Sequence, residues 1–156
     1  MKPAVIYYSY SGNTKSIAEK FKESLDCDIF EIETVTPYTG DYNAVVDQGK
    51  EEVESAFMPE IKPLAVDLSK YDTVILGMPV WWYTYAPAVK TFLNSFDLSG
   101  KTLYPFATNG GWLGHTFKDL KKECKADVKE GLNIRFNGKN SRTNEKEIEA
   151  YINSIT

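Results

Sequence analysis

The chain has 156 residues, of which 42% are hydrophobic and 26% charged, and its formal net charge is −4. This length and composition predict one domain over residues 1–156 and exclude a disordered or fibrous chain. The mildly acidic balance argues against a nucleic-acid partner, and no apolar run is long enough to predict a membrane span.

The first third of the chain predicts two strands and two helices in alternation. Residues 3–9 are a short apolar, β-branched and aromatic run between turn residues, which is typical of a buried strand. From Thr14 onward, apolar side chains recur at helical spacing. Residues 28–35 alternate in polarity like a strand nearer a sheet edge. After a turn at 37–41, the segment 42–57 predicts a second helix.

The rest of the chain continues the same alternation. Strands are predicted over 73–78, 102–108 and 131–136, and helices over 87–96, 115–124 and 143–155. Strands that alternate with helices predict an α/β fold, a doubly wound parallel sheet of five strands with helices on both faces. Such sheets bind ligands beyond the carboxyl ends of their strands, where the strand order reverses.

The cysteines and the histidine give no sign of chemistry. Cys27 and Cys124 lie far apart, in no spacing typical of a metal site. Isolated thiols fit a reducing compartment, so the predicted location is cytoplasmic. The one histidine, His115, is interpreted as a surface residue at the start of a helix.

Three segments that follow predicted strands share one edge of the sheet. We call them the first loop (residues 9–14, "SYSGNT"), the second loop (79–85, "PVWWYTY") and the third loop (108–114, "TNGGWLG"). Together they hold every tryptophan of the chain and no Lys, Arg, Asp or Glu. A flat aromatic ligand would explain this composition, because loops without a ligand are normally polar and charged.

The first loop has two interpretations. Gly12 permits a tight turn with positive φ, and the start of the next helix offers N–H groups to an anion. The simpler alternative is ordinary N-capping of that helix by one side chain, Ser11, Asn13 or Thr14. Capping needs only one such residue, whereas four surround the glycine: Ser9, Ser11, Asn13 and Thr14. The loop does not satisfy the GxxxxGK[ST] pattern of a P-loop.

The three loops carry a resemblance to the flavodoxins. The first loop resembles their phosphate loop, whose pattern is hydroxyl-x-hydroxyl-Gly-x-Thr. The segments "PVWWYTYAPAVKTFL" and "DLSGKTLYPFATNGG" resemble a small flavodoxin-like subgroup, and the order of the motifs fits from residue 4 to the end. The resemblance implies the strand order 2-1-3-4-5 and noncovalent FMN, with no catalytic side chain.

The resemblance also implies the residues that bind FMN. The phosphate would be held by Ser9, Tyr10 (through its main chain), Ser11, Gly12, Asn13 and Thr14. One side of the isoalloxazine would meet Pro79, Val80, Trp81, Trp82 and Tyr83, and the other Thr108, Asn109, Gly110, Gly111 and Trp112. The ring that stacks on the flavin stays open among Trp81, Trp82, Tyr83 and Trp112.

The function implied is a low-potential electron carrier between redox partner proteins, a reductase and an acceptor. The alternatives are a reductase of the same fold, which would reduce quinones with NADH or NADPH, and a flavin-free binding or regulatory module. Because the second and third loops contain no cation, we expect a reduction potential below that of free FMN.

The second loop also contains no glycine. Flavodoxins commonly turn a glycine beside the flavin to stabilise its one-electron-reduced state, and a non-glycine residue at positive φ costs about 1–2 kcal/mol. We therefore expect that state to be less stable here. Trp82→Gly or Tyr83→Gly should raise its yield.

Overall fold

The computed structural model describes residues 3–155, over which strands and helices alternate along the chain. The strands are β1 (Ala4–Tyr8), β2 (Asp28–Ile32), β3 (Thr73–Trp81), β4 (Thr84–Tyr85), β5 (Thr102–Asn109), β6 (Asp127–Val128), β7 (Leu132–Asn137) and β8 (Asn140–Ser141). The helices are α1 (Asn13–Leu25), α2 (Tyr42–Glu54), α3 (Pro87–Ser95), α4 (Thr116–Glu123) and α5 (Glu145–Asn153), with a short 3-10 helix at Leu68–Lys70.

The main sheet is parallel and runs in the order β2-β1-β3-β5-β7. Counted over these five long strands, the order is 2-1-3-4-5, as the resemblance implied. The two-residue strands add to this frame: β4 pairs antiparallel with β3, β6 pairs with β5, and β8 pairs antiparallel with β7. The strand order reverses at β1 and β3, so the ends of these strands frame the crevice where doubly wound folds bind ligands.

Each long strand sends alternate side chains to two cores on opposite faces of the sheet. On one face, Val5 packs in a cluster with Phe21 of α1 and Ile148 of α5. On the other face, Ile6 packs in a cluster with Phe92 of α3. Covering both faces with helices is what allows β1 to be a continuous run of buried residues, and it confirms the predicted doubly wound α/β fold.

Two predicted loops are β-hairpins. The buried strand predicted over 73–78 continues to Trp81, turns at residues 82 and 83, and returns as β4. Near the end of the chain, Asn140 and Ser141 lie between the last predicted strand and the last predicted helix, and they pair with β7 as β8. The second predicted strand is shorter than expected and ends at Ile32, beyond which Thr34 forms a single antiparallel bridge to Ile61. Within residues 3–155, no helix is long and apolar enough to cross a membrane.

Candidate functional site

The first loop is not a conventional helix cap. Gly12 occupies the N-cap position of α1 with φ = 98°, and within residues 3–155 neither Ser11, Asn13 nor Thr14 caps the helix through its side chain. The alternative of N-capping by Ser11, Asn13 or Thr14 is therefore wrong. Instead, Ser9 Oγ accepts hydrogen bonds from the Gly12 N–H (3.1 Å) and the Lys15 N–H (3.2 Å), which closes the loop on itself.

Two N–H groups at the start of α1 remain open to a ligand. Among residues 3–155, the backbone N–H groups of Asn13 and Thr14 have no protein acceptor. The side chain of Asn13 points elsewhere, because its Nδ2 donates to the Gly138 carbonyl (2.9 Å). Unpaired N–H groups and the positive end of the helix dipole form a suitable environment for an anion.

A buried pair of hydroxyl groups joins the first and third loops. Thr14 Oγ1 and Thr108 Oγ1 lie 2.7 Å apart, although the residues are 94 positions apart in the chain. Both side chains are almost fully buried. The two hydroxyl groups thus hold the first loop at a fixed place beside the end of β5.

Trp81 packs inward, against other rings. It makes edge-to-face contacts with Tyr8, Tyr10 and Tyr38, at centroid distances of 6.1, 5.8 and 4.8 Å. Tyr38 in turn donates a hydrogen bond to Glu52 Oε1 of α2 (2.6 Å). Burial and this bond raise the pKa of Tyr38, so the phenol stays neutral and remains a donor. Trp81 therefore attaches the second loop to the hydrophobic core.

Helix α2 closes over the second loop and holds Trp82. The indole Nε1 donates to the Val46 carbonyl (2.8 Å), and the Lys50 ammonium lies 5.3 Å from the centre of the Trp82 ring. Gly49 explains the close approach of α2, because a Cβ there would lie 3.3 Å from Trp81 Cε3. The second loop contains no cation, but the fold places the charge of Lys50 beside it.

The tip of the second loop is a two-residue turn with unusual backbone angles. Trp82 has φ = 50° and Tyr83 has φ = 71°, the pattern of a type I′ hairpin turn, which favours Asn-Gly. The premise of the glycine prediction is therefore wrong. Both residues already have positive φ, so neither has to be turned to that conformation. The strain is instead present in the fold.

Comparing glycine with alanine at position 83 measures this strain. Both substitutions remove the same ring, whose contacts are edge-to-face with Trp82 and Trp112. Only alanine keeps the penalty of positive φ, so Tyr83→Gly should be more stable than Tyr83→Ala by about 1 kcal/mol. Urea unfolding of the two variants checks this. Equal stabilities would show that the turn relaxes when the ring is removed.

The third loop forms the opposite wall of a groove. Asn109 fixes the loop, because its Nδ2 donates to Asn133 Oδ1 (2.6 Å) and its Oδ1 accepts from the Gly111 N–H (2.9 Å). Trp112 is 67% exposed, and its ring meets Tyr83 edge to face at 5.9 Å. The groove between the walls has a volume of about 510 Å³ and is lined by Val80, Trp82, Tyr83, Asn109, Gly110, Gly111 and Trp112.

The structure thus gathers most of the predicted site residues around one edge of the sheet but gives them different surroundings. Trp82, Tyr83 and Trp112 line the open groove, whereas Trp81 packs against tyrosines and Thr108 is buried. Pro79 is the last residue of β3 that pairs with β5, and its carbonyl accepts from the Ala86 N–H (3.2 Å), which closes the base of the hairpin. Tyr10, within the first loop, is 48% exposed.

Two elements contribute to this edge in ways that were not identified from the sequence. Helix α2 supplies Val46 and Lys50 to the second loop, and the β7–β8 turn supplies Gly138 and Lys139 to the first loop. Lys139 Nζ donates to the Ser11 carbonyl (3.1 Å). The only available signal was compositional, since residues 135–142 contain three cations and no acid.

Comparison with protein families matches nearly the entire chain. The model of the flavodoxin family, described as "Flavodoxin", matches residues 2–155. The chain belongs to the flavodoxin family. This membership confirms the predicted family, and with it the prediction that the cofactor is FMN. Comparison with curated proteins gives no match.

Solved structures of flavodoxin-like proteins share this fold. A candidate flavoprotein from Bacteroides eggerthii DSM 20697 is 33% identical, with a TM-score of 0.84 over 99% of this chain and 97% of that one. A flavoprotein from Lactobacillus acidophilus NCFM, solved in complex with FMN, is 24% identical with a TM-score of 0.71 over 85% and 91%. Oxidised flavodoxin 2 from Bacillus cereus, also 24% identical, gives a TM-score of 0.56 over 99% and 94%.

Proposed function

We propose that this flavodoxin carries electrons between redox partner proteins through one noncovalently bound FMN. The observation that carries the proposal is the convergence of an anion seat and an aromatic groove at one sheet edge. The seat is formed by the unpaired N–H groups of Asn13 and Thr14, and the groove lies between the Trp82–Tyr83 turn and the third loop. A flavin nucleotide carries one group of each kind, a phosphate and a flat ring.

The residues present fit this cofactor. The first loop, Ser9, Tyr10, Ser11, Gly12, Asn13 and Thr14, would receive the phosphate chiefly through its N–H groups. Val80, Trp82 and Tyr83 would form one wall of the ring site and Asn109, Gly110, Gly111 and Trp112 the other, while Pro79, Trp81 and Thr108 would support the two walls. Of the four rings considered for stacking, Trp81 alone does not line this groove, and it packs against three tyrosines instead.

The bound FMN would supply the electron chemistry, and the chain would set its potential. The described residues that form the walls of the groove carry no charged side chain, and the Lys50 ammonium lies 5.3 Å from the centre of the Trp82 ring. Little positive charge would therefore offset the negative charge gained on reduction. We expect a reduction potential below that of free FMN.

An anaerobic reductive titration of the FMN-loaded protein tests this function. We expect one FMN per chain, a long-wavelength absorption band that rises and then falls during reduction, and a potential below that of free FMN. A potential at or above the value for free FMN would contradict the electrostatic argument. A protein that cannot be loaded with flavin would overturn the proposed function itself.

The same sample distinguishes a carrier from a reductase. A carrier should oxidise NADH or NADPH only slowly when a quinone is the acceptor, whereas direct bleaching together with rapid turnover would favour the reductase. The identity of the partner proteins and the cytoplasmic location stay predictions. Tyr10, Tyr83 and Trp112 are about half-exposed or more, and they offer an aromatic surface through which a partner could approach the ring.

A further inference from the structure

The hairpin of β7 and β8 lies against the first loop. The two strands pair through Phe136 with Ser141 and Asn137 with Asn140, which leaves Gly138 and Lys139 as a two-residue turn. We call residues 137–140 the hairpin tip. Because β7 is parallel to β5 in the main sheet, its carboxyl end points to the same edge as the first loop. The hairpin therefore extends beyond the sheet toward the anion seat.

Two hydrogen bonds attach the hairpin tip to the first loop. Asn13 Nδ2 donates to the Gly138 carbonyl (2.9 Å), and Lys139 Nζ donates to the Ser11 carbonyl (3.1 Å). The ammonium group also lies next to Gly12, where a Cβ would be 3.8 Å from Lys139 Nζ. The Lys139 charge is thus held beside the N-terminus of α1, close to the N–H groups that have no protein acceptor.

An anion at the seat would make the position of Lys139 electrostatically favourable. The first turn of a helix carries a partial positive charge, which repels a cation. Within the described residues 3–155, Lys139 forms no ion pair with a carboxylate, whereas Lys20 of α1 pairs with Glu145. Residues 9–16 and 135–142 contain no acid at all. A phosphate dianion at the seat would reverse the sign of this interaction.

We propose that Lys139 is a ligand of the FMN phosphate and makes the site selective for the phosphorylated flavin. The ammonium would add a charge-assisted hydrogen bond to those from the main chain. The Ser11 and Gly138 contacts hold the hairpin tip in place for this role. The inference rests on the proposed function, because it assigns a residue to the phosphate of the same cofactor.

The test compares FMN with riboflavin, which lacks the phosphate. Dissociation constants are measured by fluorescence titration for the wild-type protein and for Lys139→Met. We expect the variant to bind FMN about tenfold more weakly and riboflavin with unchanged affinity. The affinity of the wild-type protein for FMN should also fall more steeply with salt than that of the variant, because one phosphate contact is lost. Lys139→Arg should retain most of the affinity for FMN.

Lys15→Met is the matched control. Lys15 is an exposed lysine in the first turn of the same helix, so this variant removes one positive charge nearby without removing the proposed contact. We expect a loss of affinity for FMN below about threefold. Equal losses for FMN and riboflavin in Lys139→Met, or equal losses of FMN affinity in the two variants, would overturn the inference. A wild-type protein that binds neither flavin would overturn the proposed function, and the inference with it.

Discussion

Replacing Gly114 with alanine is expected to lower the free energy of unfolding by about 3 kcal/mol. An alanine Cβ at this position would lie 2.2 Å from the Tyr83 carbonyl oxygen and 2.6 Å from the Tyr83 Cα. Both are backbone atoms, so no side-chain rotation can relieve the contact. Gly114 also has φ = 63°, and a side chain in that conformation adds its own cost.

The same substitution should weaken FMN binding by about tenfold or more. The Tyr83 carbonyl accepts a hydrogen bond from the His115 N–H (2.8 Å). This hydrogen bond joins the tip of the second loop to the start of α4. Pushing Tyr83 away from Gly114 breaks that bond and shifts one wall of the groove relative to the other. Urea unfolding of the apoprotein and fluorescence titration with FMN measure the two effects separately.

Gly100→Ala is the matched control for this prediction. Gly100 also has positive φ (79°), but no atom of residues 3–155 lies within 4 Å of the Cβ that would be added there. We expect a loss of about 1–2 kcal/mol from backbone strain and no change in FMN affinity. The difference between the two variants then isolates the clash with Tyr83. If Gly114→Ala loses no more stability than Gly100→Ala, the second loop is not fixed by this contact.

The sheet was predictable because its signals are local. β1 and the first half of β3 are continuous apolar runs, and a parallel strand covered on both faces must be one. The helices that alternate with them show apolar residues at helical spacing. The order of the strands followed from the resemblance of the three loops, and the doubly wound topology restricted the loops to one edge.

The hairpin of the second loop could not be predicted, because its turn lacks the usual sequence signal. Type I′ turns favour Asn-Gly, and the chain has Trp82-Tyr83 there. The turn is maintained by distant contacts. Trp82 donates to Val46, 36 positions away, and the Tyr83 carbonyl accepts from His115. Periodicity and turn propensities report only nearby residues, so they give no sign of such compensation.

The first loop shows that composition predicts the presence of a polar site but not the role of each side chain. The sequence identified a cluster of polar side chains but could not assign their tasks. Ser9 closes the loop, Asn13 binds the hairpin tip and Thr14 binds Thr108, which leaves the backbone to face the ligand. Two of these partners lie 94 and 125 positions away. Lys139 was not identified for the same reason, since only the fold brings its hairpin to this loop.

A second large effect is expected from Gly77→Ala, at the centre of β3. Gly77 is the register partner of Phe106 in β5, and a Cβ at Gly77 would lie 2.2 Å from Phe106 Cζ. The Phe106 ring is fully buried and stacks on Phe21 with centroids 4.9 Å apart, so it has little room to move. Overpacking outweighs the gain in strand propensity, and we expect a net loss of about 2 kcal/mol in the free energy of unfolding.

A double-mutant cycle with Phe106→Leu shows whether the ring is the cause. Phe106→Leu alone should cost about 1–2 kcal/mol, because it leaves a void above Gly77. In the double variant, the alanine methyl group fills part of that void. The combined loss in urea unfolding should therefore be smaller than the sum of the single losses by about 1 kcal/mol or more. Additive losses would mean that a contact other than the Phe106 ring excludes a side chain at position 77.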